Sequence, residues 1–119
     1  MIRYFDDDEF LCTHCGKAGI QEDFVQLLDD IRHDCGFPFL ITSGYRCKDH
    51  PVEAAKTKPG AHETGWASDI GVIGEQAFHV VEVALQHGIK RIGVNQTGSG
   101  RFIHLDTAPD YPSPTIWSY

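Results

Sequence analysis

The sequence predicts an α+β domain with a small, mostly antiparallel sheet and helices packed on one face. Three observations predict this fold class. The chain has 119 residues and is 41% hydrophobic, which suits one domain spanning residues 1–119. Two segments carry a helical apolar period, and several short apolar segments are bounded by turn residues. Their order is helix, strand, loop, strand, helix, strand, strand, which is typical of such a layered arrangement.

The first helix is predicted over residues 21–34. Its apolar stripe has the spacing i, i+3, i+4, i+7, and it consists of Phe24, Leu27, Leu28 and Ile31. The polar side chains assigned to the solvent face are Glu22, Asp23, Asp29, Asp30 and Arg32. Gly36 and Pro38 end the helix. Residues 39–42 then read as a buried strand that runs into Ser43-Gly44-Tyr45-Arg46.

The remaining elements follow a long polar loop over residues 47–66, whose length indicates a functional role. A short strand is predicted at 67–72, a second helix at 74–88, and strands at 91–94 and 101–107. The residues assigned to the inward face of the second helix are Phe78, Val81, Ala84 and Leu85. The tail after residue 107 contains Pro109, Pro112 and Pro114, so we expect it to be irregular.

Composition argues against two classes of partner. The formal charge is −7 and no basic cluster occurs, which argues against a nucleic-acid binder. No apolar run approaches 18 residues, so no membrane span is expected. The N-terminal segment lacks the basic and apolar regions of a secretion signal. The localisation stays open between a mature form and a protein that leaves the cytosol by another route.

The four cysteines are Cys12, Cys15, Cys35 and Cys47. Cys12 and Cys15 form a CxxC pair, but a second CxxC at zinc-finger spacing is absent, which argues against a zinc site built from all four cysteines. Unpaired thiols, a disulfide bridge and a second metal all remain open.

His62-x6-Asp69 and the later Phe102-Ile103-His104-Leu105-Asp106 supply the most informative pattern. On a strand, successive side chains point to opposite faces. Ile103 and Leu105 can therefore fill the core while His104 faces a cleft. Two imidazoles and one carboxylate are a donor set that suits one zinc ion, with a fourth position left open for water. His62, Asp69 and His104 are therefore three possible ligands for a single Zn²⁺ per chain, and they can converge if the strands that carry Asp69 and His104 are neighbours.

These segments together resemble the zinc D-alanyl-D-alanine carboxypeptidase and endopeptidase family, particularly its small phage and bacterial branch. The similarity rests on Ser43-Gly44-Tyr45-Arg46, on His62-x2-Gly65-x-Ala67-x-Asp69-Ile70 and on the 102–106 motif. It implies a hedgehog-like zinc fold and a peptidase that cleaves peptidoglycan peptide stems in the cell wall. It also implies that Arg46 hydrogen-bonds the substrate near the scissile carbonyl.

The pattern departs from the family at two positions. Arg101 stands three residues before His104, where relatives place the acidic general base, and Gly60 stands where relatives often have serine. Asp106 is therefore a candidate for a catalytic role or for orienting a ligand histidine. Glu63 and Asp49 are near in sequence only. Tyr45 and Trp66 are candidates for substrate binding, although Trp66 would equally serve to close the core.

Three functions are compatible with these residues. The first is a zinc peptidase acting on peptidoglycan peptides, as a carboxypeptidase or an endopeptidase. The second is a zinc-containing module that binds cell-wall peptide without cleaving it, because Arg101 makes a loss of activity credible. The third is a domain in which zinc only stabilises the loop at 47–66.

Overall fold

A computed structural model of the protein describes residues 1–56 and 60–119 and contains a mixed sheet with helices. The strands in that part of the chain are β1 (Ile41–Ser43), β2 (Ala67–Ile70), β3 (Arg91–Asn95), β4 (Phe102–Asp106) and β5 (Thr115–Ser118). The helices are α1 (Glu22–Cys35), α2 (Pro51–Ala54), α3 (Ala61–Thr64) and α4 (Gly74–Gln86), preceded by a 3₁₀ turn at Asp7–Phe10. None of these helices has the length and apolar character that a membrane crossing requires.

The sheet has the order β1-β2-β4-β3-β5 and is mostly antiparallel. β2 pairs with both β1 and β4 in antiparallel fashion, β4 pairs with β3 in the same way, and only β3 and β5 run parallel. The predicted α+β class with a mostly antiparallel sheet is confirmed.

The hydrophobic core lies between the sheet and the two long helices. α1 contributes Phe24, Leu28 and Ile31, and the sheet contributes Ile103 and Leu105, all nearly or fully buried. Because Ile103 and Leu105 point into this core, alternation turns His104 to the opposite face of β4. The fold therefore leaves one sheet face free to carry a site.

The predicted inward face of α4 was partly wrong. Phe78 and Leu85 are 67% and 58% exposed, whereas Ala77, Val80 and Ala84 are buried. Apolar residues occur on two adjacent stripes of this helix, so periodicity alone could not choose between them. The stripe with the smaller side chains lies inward, where α4 contacts both α1 and β4.

Asp29 was also misassigned, because it is fully buried and does not lie on the solvent face of α1. Its carboxylate accepts hydrogen bonds from the backbone N–H groups of Arg3 at 3.0 Å and Tyr4 at 2.9 Å. Its other oxygen pairs with the Arg3 guanidinium at 3.1 Å. The N-terminal segment packs against α1 at this carboxylate. The residue pattern within α1 does not indicate this contact.

Three further segments differ from their predicted structure. The strand expected to be buried at 39–42 is a half-buried edge strand at Ile41–Ser43. The loop at 47–66 contains two short helices, α2 and α3, and its residues 57–59 lie outside the described residues. The tail expected to be irregular forms β5, which pairs with β3 despite its prolines, because Pro109, Pro112 and Pro114 all precede the strand.

Gly65 ends α3 in the left-handed conformation, with φ of 82°, directly before the strand that carries Asp69. A Cβ at this position would overlap the backbone carbonyl of Gly19. We expect Gly65→Ala to lower the free energy of unfolding by more than about 1 kcal/mol, because both conformation and space exclude a side chain. Urea denaturation of purified protein measures this change.

Gly36→Ala is a matched control for that substitution. Gly36 ends α1 with a similar φ of 78°, but no atom lies within 4 Å of the Cβ that it would gain. The cost of Gly36→Ala therefore reports backbone strain alone. An equal loss of stability in the two variants would contradict the close approach of residues 19 and 65.

Candidate metal centre

Strand pairing brings two of the predicted metal ligands together. Asp69 on β2 lies directly opposite His104 on β4. His62 reaches the same point from α3, which precedes β2 and is linked to it through Gly65. One ligand atom from each of these three residues lies within 4.8 Å of the other two. The structure therefore gathers residues that are 42 positions apart in the sequence.

His62 is oriented by the backbone of the Ser43–Arg46 segment. Its Nδ1 donates a hydrogen bond to the carbonyl oxygen of Gly44 at 2.8 Å. With Nδ1 as the donor to Gly44, Nε2 is the nitrogen available to a metal, and it lies 3.3 Å from Asp69 Oδ1. The ring is buried, and the carbonyl of Gly44 requires a proton on Nδ1.

His104 is oriented by a carboxylate on its far side. Its Nε2 donates to Asp106 Oδ2 at 2.6 Å, and its Nδ1 faces Asp69 Oδ1 at 2.9 Å. The second oxygen of Asp106 accepts from Arg91 Nε at 2.6 Å and from the backbone N–H of Ala108 at 3.2 Å. A carboxylate that holds the outer nitrogen of a ligand histidine is a recurrent feature of metal sites.

The buried charges shift the acidity of the centre. Burial favours the neutral form of Asp69, but hydrogen bonds and charge from His104 and His62 outweigh burial and hold its pKa well below the usual range. Burial likewise disfavours the imidazolium of His104, yet the carboxylates of Asp106 and Asp69 raise its pKa. Asp69 is therefore ionised, which is the form that binds a metal cation.

The donor set and its spacing fit a zinc ion. Tetrahedral bonds of about 2.0–2.1 Å to nitrogen and oxygen imply that neighbouring donors lie roughly 3.3 Å apart. The distances from Asp69 Oδ1 to the two histidine nitrogens are 3.3 Å and 2.9 Å. Both outer nitrogens have hydrogen-bond acceptors, so each inner nitrogen can direct a lone pair inwards. His62, Asp69 and His104 could hold zinc with little movement.

The three residues lie at the base of a cleft of about 480 Å³. Its lining includes the cations Arg46, Lys56 and Arg91 and the aromatic residues Phe102, Tyr111, Trp117 and Tyr119. The predicted substrate-side cation, Arg46, is therefore beside the three residues. Its Nη2 lies 3.6 Å from Asp69 Oδ2, and its Nε donates to Ser43 Oγ at 3.0 Å.

One residue behind the wall of the cleft was not identified from the sequence. Glu53 on α2 is buried and contacts Arg46 at 3.5 Å, Lys56 at 3.0 Å and the backbone N–H of Gly60 at 3.2 Å. Burial raises the pKa of Glu53, but Lys56, Arg46 and this N–H outweigh burial and lower it. The sequence signal for Glu53 was weak, because a glutamate in a polar loop is ordinarily exposed.

The tail supplies an aromatic wall that the sequence did not predict. The ring of Trp117 on β5 lies 5.2 Å from the imidazole of His104. The Arg91 guanidinium lies over the same indole at 5.0 Å and over Tyr111 at 5.1 Å. The tail was expected to be irregular, so neither its pairing with β3 nor this wall was predicted.

Other candidate residues lie outside the described lining of the cleft. Tyr45 packs over Gly19, and Trp66 packs against the hydrophobic core. Arg101 is exposed and donates to the carbonyl oxygen of Gly98 at 2.9 Å. The substrate-binding roles of Tyr45 and Trp66 remain predictions.

Asp69 is the one carboxylate among the described residues that line the cleft. Asp106 is fully buried behind His104, and both of its oxygens already accept hydrogen bonds. Neither Glu63 nor Asp49 lies in that lining. Among the described residues that line the cleft, no second carboxylate is therefore available as a general base.

Two imidazoles, a carboxylate and an arginine at the base of a cleft define the type of site found in zinc hydrolases. The model of the Peptidase M15 family matches residues 3–106, and the chain belongs to that family. The resemblance to the zinc D-alanyl-D-alanine carboxypeptidase family is thereby confirmed, and members of this family are zinc peptidases. No match was found among the curated proteins.

Proposed function

We propose that this protein is a zinc peptidase that cleaves an amide bond in peptidoglycan peptide stems. The observation that carries the proposal is the convergence of His62, Asp69 and His104 at the base of a cleft that also holds Arg46. Membership of the Peptidase M15 family supports the metallopeptidase class. The family match does not identify a substrate, so the peptidoglycan stem and action at the cell wall are proposed in addition to this class.

The protein residues hold and orient the reacting groups. A zinc ion, when bound by His62, Asp69 and His104, supplies a Lewis acid that polarises a carbonyl and makes water more acidic. Gly44 and Asp106 fix the two imidazoles from behind, so their inner nitrogens point to one place. This preorganisation means that little rearrangement accompanies the reaction.

Arg46 is the group that would stabilise the oxyanion of the tetrahedral intermediate. Ser43 and Glu53 contact its guanidinium at 3.0 Å and 3.5 Å, which fixes its direction. Its Nη2 lies next to Asp69, at the edge of the ligand cluster. A carbonyl seated between this guanidinium and the three ligands would develop negative charge beside a fixed cation.

The remainder of the cleft suits a short peptide. The rings of Tyr111, Trp117 and Tyr119 offer an apolar wall. The cationic groups of Lys56 and Arg91, which pair with Glu53 and Asp106, also line the cleft. A peptidoglycan stem presents methyl groups and carboxylates, which are complementary to such a surface. A carboxylate near the scissile bond would also be attracted to Arg46.

A second candidate function is a zinc-containing module that binds wall peptide without cleaving it. The observation that favours it is the lack of a carboxylate other than Asp69 in the described lining of the cleft. Arg101, at the position where relatives have the acid, is a cation that cannot accept a proton from water. Both candidate functions require the zinc ion and a wall peptide, but only the peptidase cleaves that peptide.

The test is incubation of the zinc-loaded protein with purified muropeptides over a range of pH. Mass spectrometry would detect each new amine and each shortened stem. Cleavage that stops on chelation and returns with zinc supports the peptidase. Bound zinc and saturable muropeptide binding by calorimetry, without any product, would favour the binding module.

Arg46→Ala is expected to reduce kcat for muropeptide cleavage by about 10²–10³-fold, because one preorganised oxyanion donor contributes that much. Steady-state kinetics measures the loss, and the zinc content should stay unchanged. Arg101→Ala is the matched control, because its side chain is exposed and bonded to Gly98. Equal activities in the Arg46 and Arg101 variants would rule out the proposed role of Arg46.

A further inference from the structure

Three cysteine sulfurs form a second cluster of potential metal ligands. The Sγ atoms of Cys12, Cys15 and Cys47 all lie within 4.8 Å of one another. Cys12 and Cys47 are buried, and Cys15 is exposed at the edge of the group. We propose that these cysteines bind a second zinc ion, and that this ion has a structural role.

The turn between Cys12 and Cys15 has the geometry that such a site needs. The backbone N–H of Gly16 donates to the carbonyl oxygen of Cys12 at 2.8 Å, and the backbone N–H of Cys12 donates to the carbonyl oxygen of Lys17 at 3.0 Å. Gly16 adopts a φ of 72°, a conformation that glycine reaches without strain. The turn therefore directs both sulfurs of the CxxC pair to one side, as a chelating pair requires.

The environment of Cys12 favours the thiolate. The backbone N–H of Cys47 points at its sulfur at 3.3 Å. A thiolate is the form that ligates zinc, and N–H donors to the sulfur are common around such sites.

His50 is the candidate for the fourth ligand. It follows Cys47 at the spacing Cys-x2-His, which complements the Cys-x2-Cys pair at 12 and 15. Its backbone N–H donates to the carbonyl oxygen of Cys47 at 3.0 Å, so the chain turns back towards the sulfurs. Its Nε2 lies 3.4 Å from Thr13 Oγ1, within the turn that joins Cys12 to Cys15. Its Nδ1 accepts a hydrogen bond from the backbone N–H of Val52 at 3.2 Å, so the side chain would have to leave this cap to complete a Cys₃His set.

The position of the cluster explains what a structural ion would do. Cys47 directly follows Arg46, and the neighbouring backbone N–H of Tyr45 donates to the carbonyl oxygen of Phe10 at 3.0 Å. Gly44, in the same segment, accepts the hydrogen bond that orients His62. An ion shared by Cys12, Cys15 and Cys47 would fasten the N-terminal segment to the segment that carries Arg46.

Cys35 stands apart from this cluster and provides a control. It lies at the end of α1, and its sulfur is 3.8 Å from the carbonyl oxygen of His79. This separation also explains why the sequence did not reveal the site. The spacing was compared with a zinc site built from all four cysteines, whereas the structure brings only three of them together.

The test is cobalt substitution of the full wild-type chain, compared with three variants. Co²⁺ bound by thiolates gives an intense sulfur-to-metal charge-transfer band in the near ultraviolet, and Co²⁺ at His62, Asp69 and His104 does not. We expect this band in wild-type and in Cys35→Ser protein, and its loss in Cys15→Ser. His50→Ala should weaken metal retention against a chelator. Absence of the band in reduced wild-type protein would overturn the proposal.

Zinc stoichiometry separates this site from the proposed catalytic one. We expect two zinc equivalents in wild-type protein, one in His104→Ala, one in Cys15→Ser and two in Cys35→Ser. The zinc kept by His104→Ala should be released by a thiol-specific mercurial. A disulfide among Cys12, Cys15 and Cys47 in freshly purified protein, found by thiol titration after denaturation, would also overturn the proposal. These outcomes are independent of muropeptide cleavage.

Discussion

His104→Ala is expected to abolish zinc retention at the centre formed with His62 and Asp69, and with it nearly all peptidase activity. The substitution removes one of three donors and leaves Asp69 and Asp106 without the imidazole that lies between them. A metal Lewis acid contributes several kcal/mol to the transition state, and about 1.4 kcal/mol corresponds to a tenfold change in rate. The expected loss in kcat/KM is therefore on the order of a thousandfold or more, measured with muropeptides.

His79→Ala is the matched control for this variant. His79 lies on α4, where its ring contacts the exposed carboxylates of Glu75 and Glu82, and it is not among the residues that line the cleft. We expect wild-type activity and wild-type zinc content in this variant. Circular dichroism of both variants checks that the fold is kept. A folded His104→Ala protein that cleaves at the wild-type rate would remove the basis of the proposed mechanism.

The parts of the fold that the sequence predicts are those determined by local patterns. Alternation along β4 separates Ile103 and Leu105 from His104, and the structure confirms this division between core and cleft. The apolar period of residues 24–31 likewise predicts α1 and its buried face, with Leu27 at its margin. A local pattern is sufficient there because each buried side chain lies on one face of one element.

The parts that the sequence did not predict depend on contacts between distant segments. The burial of Asp29 arises from a segment more than 20 residues earlier, and β5 forms only because β3 offers it an edge. α4 has two apolar stripes, and the choice between them depends on the size of the side chains that meet α1. None of these factors can be read from the residues of a single element.

The same division applies to the candidate site. The motifs identified His62, Asp69, His104 and Arg46 because their spacing within the chain is informative. Arg91 and Glu53 act through residues on other strands and helices, so no spacing indicates them. The cysteine cluster was predictable only in part. The CxxC pair is visible in the sequence, but Cys47 joins it only through the fold.

Asp106→Ala is expected to lower the free energy of unfolding by about 3 kcal/mol, which is the usual cost of removing one member of a buried ion pair. Asp106 is fully buried and accepts from Arg91, His104 and the backbone of Ala108. Its loss leaves all three donors without their acceptor. The variant should also bind zinc or cleave peptide about 10–100-fold less well, because His104 loses the group that orients it. Urea denaturation and metal competition measure the two effects.

A double-mutant cycle with Arg91→Ala isolates the ion pair from the other losses. Arg91 and Asp106 are directly opposite each other on β3 and β4, and their side chains meet at 2.6 Å. Removing Arg91 as well relieves the uncompensated charge, so the double variant should lose less stability than the sum of the two single variants. Asp106→Asn keeps the shape but removes the charge, and it should fall between wild type and Asp106→Ala. Strict additivity in the cycle would contradict the coupling of β3 to the metal centre through Asp106.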